Sequence, residues 1–141
     1  MKTYAISLVL FLAIIAISST TLGRSPEGTP LKYISSCEAD FNGDGANDIA
    51  LLIEPLEGRE LIVLLKSESG YEAYLLAKNL KEFEYMSCQY GNSVEALPDS
   101  TGDQKVTCKT PGAYIELYQP EGASRAFYWT GIRFKEVWLS D

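Results

Sequence analysis

Beyond its first thirty residues the chain alternates short apolar runs with clusters of Gly, Asp, Asn, Pro and Ser. No stretch carries a sustained 3.6-residue apolar stripe, so the pattern is that of strands and turns. It predicts strands over 31–36, 49–54, 60–66, 71–77, 83–89, 106–109, 113–118, 124–129 and 132–139. The third of these is apolar at every step from Leu61 to Leu65, the signature of a strand covered on both faces. Thr130-Gly131 marks a tight hairpin. Residues 90–103, with Gly91, Asn92, Pro98, Asp99 and Gly102, form the most loop-like stretch. Residues 71–83 offer a helical alternative through Leu75, Leu76 and Leu80. The expectation is an all-β fold of about nine short strands, arranged as a compact sandwich.

The N-terminus follows a different pattern. Lys2 precedes an apolar run over 5–17, broken only at Ser7, and a small polar stretch ends at Gly23. This order is that of a cleaved export signal over 1–23, and the run is shorter than the roughly 20 residues that span a bilayer. The remainder, 24–141, is of a size for one domain.

The most specific chemistry lies between the first two strands. Asp40, Asn42, Asp44 and Asp48 place side-chain oxygens at positions 1, 3, 5 and 9 of a short loop, with Gly43 and Gly45 between them. Hard cations such as Ca2+ take six to eight oxygens, and a backbone carbonyl commonly supplies position 7, here Ala46. The plain alternative is a polar turn, but three carboxylates within nine residues repel one another unless a cation offsets them.

The loop differs from an EF-hand, which ends on a Glu at position 12; Leu51 stands there. A nine-position loop closing on Asp and feeding the apolar strand Ile49-Ala50-Leu51-Leu52 resembles the calcium loop of FG-GAP and VCBS-type repeats. Those repeats occur in integrin α-chain propellers and in bacterial secreted proteins. The resemblance covers about fifteen residues well and the next strand loosely. It implies a structural Ca2+ at Asp40, Asn42, Asp44, the Ala46 carbonyl and Asp48, while the length of the chain fits a compact sandwich or two propeller-blade-like antiparallel sheets. The motif occurs once, and a propeller needs four or more blades, so propeller-type ligand recognition does not transfer.

Three cysteines leave one unpaired if a disulfide forms. Cys88 and Cys108 sit on strands separated by a loop, which favours their pairing; Cys37 is then a free thiol or a competing partner. A loop of about twenty residues closed in this way contributes about 3 kcal/mol.

Charge and composition then limit the function. With 19 acidic against 12 basic residues the chain repels phosphate backbones, which disfavours nucleic acid. It has no histidine, the commonest general base, and no Gly-x-Ser-x-Gly elbow, so catalysis is not expected. Aromatics gather late in the chain, at Tyr114, Tyr118, Phe127, Tyr128, Trp129, Phe134 and Trp138. They fill the core or present a contact surface for a protein or glycan. The overall expectation is an exported, monomeric calcium-binding β domain without a membrane span, the alternative being an inhibitor or immunity-type protein that caps another protein.

Overall fold

The computed structural model describes residues 31–81, 84–98 and 104–140. The expected export signal over 1–23 lies outside them. The described residues form eight strands: β1 (Lys32–Ala39), β2 (Asp48–Glu54), β3 (Arg59–Ser67), β4 (Gly70–Leu80), β5 (Tyr85–Ala96), β6 (Val106–Tyr118), β7 (Ser124–Trp129) and β8 (Phe134–Ser140). No helix occurs among them, so the helical alternative over 71–83 is corrected where it is described: 71–80 lies in strand β4. β1-β2-β3-β4 and β5-β6-β7-β8 are two antiparallel sheets, each taken in chain order. The fold is thus all-β, a sandwich of two meanders.

Alternation of side chains along each strand builds the core. β2 turns Ala50 and Leu52 inward, β3 turns Leu61, Val63 and Leu65, and β6 turns Ala113, Ile115 and Leu117. These pack with Phe41, Leu80 and Phe127 in one cluster drawn from both sheets. Tyr74, Trp129 and Phe134 close one side of the core with edge-to-face ring contacts at 5.1–5.6 Å.

The second sheet also buries part of its outer face. β5 and β6 are long, and their pairing shifts register between Gly91 and Ser93, with Gly91 facing Gly112. Beyond this irregularity the far end of the hairpin returns to β8, where the Leu97 N–H donates to the Trp138 carbonyl at 2.7 Å. Val94 and Cys108 there pack with Tyr114, Ala126, Tyr128, Val137 and Leu139 in a second cluster.

Two sequence expectations are corrected. Residues 90–96, expected as loop, continue β5, because Gly91 and Asn92 serve a bulge rather than a turn. The separate strands over 106–109 and 113–118 are one strand, β6, which is why eight strands stand where about nine were expected. Pro111 and Gly112 sit at the bulge, where a missing ladder N–H is tolerated, and Thr110 donates its hydroxyl to the Gly91 carbonyl across it.

The connector between the sheets is held by a buried acid. Glu84 accepts the Lys81 N–H at 2.6 Å and pairs with Arg125 at 3.1 Å. Arg125 also binds Glu136 at 2.8 Å and lies over the rings of Phe127 and Trp138. No helix among the described residues is long and apolar enough to cross a membrane.

Candidate metal centre

The loop from Asp40 to Asp48 begins where β1 ends and closes on the first residue of β2. Asp40 organises its turn. One carboxylate oxygen accepts the N–H groups of Gly43 at 2.6 Å and Asp44 at 3.1 Å; the other accepts that of Gly45 at 2.8 Å. Asn42 Oδ1 accepts the same Asp44 N–H at 3.1 Å, and Asp44 Oδ1 accepts the Ala46 N–H at 2.8 Å. The Asn42 and Asp44 contacts are successive Asx turns, the side-chain oxygen bonding the backbone two residues on. Gly43 and Gly45 have φ of 79° and 86°, the left-handed region that an L side chain resists. At Gly43 a Cβ would also stand 2.9 Å from the Pro111 Cβ, so the loop lies directly against the β6 bulge.

Asp40, Asn42 and Asp44 therefore share one neighbourhood. The Asn42 amide N–H donates to Asp44 Oδ2 at 2.9 Å. The Ala46 N–H, followed by this amide, holds the Asp44 carboxyl below its ordinary pKa.

Asp48 has different partners. It is fully buried, and its two oxygens accept the N–H groups of Phe41 at 2.9 Å and Lys66 at 2.8 Å. Burial pushes its pKa up. The two N–H donors oppose that rise, while the charges of Asp44 and Asp40 add to it. Among the described residues no three acidic, histidine or cysteine side chains converge as a ready-made metal cage. The loop as it stands meets its own hydrogen-bonding needs with backbone N–H groups. Each carboxylate oxygen nevertheless has two lone pairs, so Asp44 Oδ2 and both Asp48 oxygens keep acceptor capacity.

Sequence reading did not point to the donors that position this site, the Phe41 and Lys66 N–H groups. Their signal was the β2–β3 register, in which Ile49 faces Leu64, so that Asp48 comes beside the end of β3.

The disulfide expectation is also corrected. Cys37 bonds Cys88, with Cα atoms 5.9 Å apart, and Cys108 is free. In the β5–β6 ladder Cys88 faces Ile115 and Cys108 faces Val94, well apart along the hairpin. Cys88 belongs to the main core and Cys108 to the outer cluster, so the two thiols lie on opposite sides of the sheet. The observed bond joins β1 to β5, the edge strands of the two sheets, three residues before the loop. Beside it the Tyr90 hydroxyl donates to the Glu38 carbonyl at 3.0 Å. A disulfide fits an oxidising compartment.

No protein-family model, curated protein or solved structure matches the chain.

Proposed function

We propose that the chain is an exported, non-catalytic β domain whose loop over 40–48 takes one Ca2+ ion, and that this ion stabilises the sandwich. The observation that carries the reading is the shared Asp44 N–H, which gathers the side-chain oxygens of Asp40 and Asn42 at 3.1 Å each. With Asp44 these are the ligands at positions 1, 3 and 5. All are hard oxygen donors of the kind Ca2+ prefers. Ala46 offers the carbonyl of position 7. Asp48 contributes its remaining lone pairs, directly or through water, while still holding the two strands by their N–H groups. A bound cation would offset the charges that Asp40 and Asp44 impose on the buried Asp48 carboxyl. The export reading draws on the apolar run over 5–17 and on the Cys37–Cys88 bond.

Calorimetric titration of Ca2+ into chelator-treated protein tests this. One site per chain is expected, abolished by Asp44→Ala. Absence of binding heat in the parent at several temperatures contradicts it.

In this reading the domain serves by contact with a protein or glycan. The Tyr85 and Tyr118 rings favour that role: they stand 5.9 Å apart on the outer face of the second sheet and are 48% and 37% exposed. A soluble glycan that raises the melting temperature identifies a lectin-like role. One stoichiometric protein recovered from an envelope extract identifies the inhibitor or immunity-type role.

A further inference from the structure

The two central strands of the first sheet carry apolar residues on their outer face as well as on their inner one. β2 turns Ile49, Leu51 and Ile53 outward, and β3 turns Ile62 and Leu64 outward. They lie side by side in the ladder, Ile49 facing Leu64 and Leu51 facing Ile62. All five are only partly buried, whereas the alternate residues of the same strands are sealed in the core. β4 extends the patch with Leu75, 46% exposed, which faces Ile62. Strands apolar on both sides are ordinarily covered on both sides, and exposed aliphatic patches of this kind mark contact surfaces.

The charges on this face indicate what covers it. On β3 the outward residues run Glu60, Ile62, Leu64, Lys66, with opposite charges about 20 Å apart at the two ends. Neither side chain makes a direct ion pair among the described residues, although the Lys66 charge also acts on Asp44 of the adjoining loop. A two-fold axis above the middle of β3 lays this strand antiparallel over its copy. Glu60 of each chain then meets Lys66 of the other, and Ile62 of each packs on Leu64. The pattern is its own complement, as an isologous interface requires.

We propose that two copies of this chain associate face to face through the outer surface of the β1–β4 sheet, in place of the monomer expected from sequence. The four-strand face measures roughly 20 Å by 17 Å. That is smaller than the roughly 800 Å2 per partner of a standard interface, so the dimer is concentration-dependent.

Sedimentation equilibrium of the exported chain over about 1 µM to 1 mM tests the proposal. The parent is expected to rise from monomer to dimer mass across that range. Glu60→Lys and Lys66→Glu each set like charges opposite one another and weaken association at least about tenfold. An equimolar mixture of the two variants restores it, because each then presents the charge the other lacks. Both side chains face solvent, but Lys66 adjoins the acidic loop, so a parent-like circular dichroism spectrum, rather than an unchanged melting temperature, confirms the fold of each variant. A parent that stays monomeric throughout overturns the proposal, whether the face is open or covered by another segment or protein. A mixture that associates no better than the single variants overturns it too.

Discussion

The Asp48 carboxylate accepts the Lys66 N–H at 2.8 Å, bonding the end of the acidic loop to the end of β3. Its other oxygen accepts the Phe41 N–H at 2.9 Å, so one buried side chain fixes a loop entry, a loop exit and a neighbouring strand. Leaving a buried donor unpaired costs about 1–3 kcal/mol. Part of that loss is offset because the variant no longer buries a carboxyl. Asp48→Ala, measured by urea unfolding in chelator so that no ion contributes, is expected to destabilise the domain by about 3 kcal/mol. Asp48→Asn keeps a single oxygen acceptor and is expected to recover no more than half of this. Parent-like stability for Asp48→Ala would show that these bonds do not hold the loop.

The Cys37–Cys88 bond closes a segment with a sequence separation of 51. Constraint of the unfolded chain over that length is worth about 4 kcal/mol on the entropy model. Cys37→Ser is expected to lower the unfolding free energy by roughly this amount, and Cys108→Ser to leave the bond intact. Peptide mapping without reductant checks the pairing directly: it should recover a 37–88 cross-link and a Cys108 open to alkylation once unfolded.

Much of the strand framework was legible because alternation and turn residues act locally. Residues 49–54, 60–66 and 124–129 all fall in strands, while the turn read at Thr130-Gly131 runs on through 133 before β8 begins. The β5–β6 hairpin was read less well. Gly91, Asn92, Pro111 and Gly112 mark turns and bulges alike, and only pairing with a partner strand distinguishes them. Register also decided the cysteines: local sequence puts Cys88 and Cys108 on adjacent strands but does not show that they face opposite sides. The loop was legible as a cluster of oxygens. That its last acid turns into the core could not be seen, since the burial of Asp48 depends on β3 arriving beside it.

The Tyr128 hydroxyl supplies a pH prediction. Burial, reinforced by a hydrogen bond with Cys108, pushes its pKa from 10.0 up to about 12. The folded state therefore holds this proton more tightly than the unfolded state. The associated stability is complete below about pH 10 and is lost as pH rises from there through about 12. At 1.36 kcal/mol per pKa unit the loss amounts to about 2–3 kcal/mol. Urea midpoints across this range are expected to fall less steeply for Tyr128→Phe than for the parent. Parallel curves would contradict the assignment.

The most direct test of the calcium loop is thermal unfolding of the parent and Asp44→Ala, each in chelator and in millimolar Ca2+. Binding restricted to the folded form adds about 2.7 kcal/mol at a hundredfold excess over Kd. The account predicts that Ca2+ raises the parent melting temperature by several degrees. Asp44→Ala should melt at one temperature in both conditions. A parent whose melting temperature is the same with and without Ca2+ would contradict it.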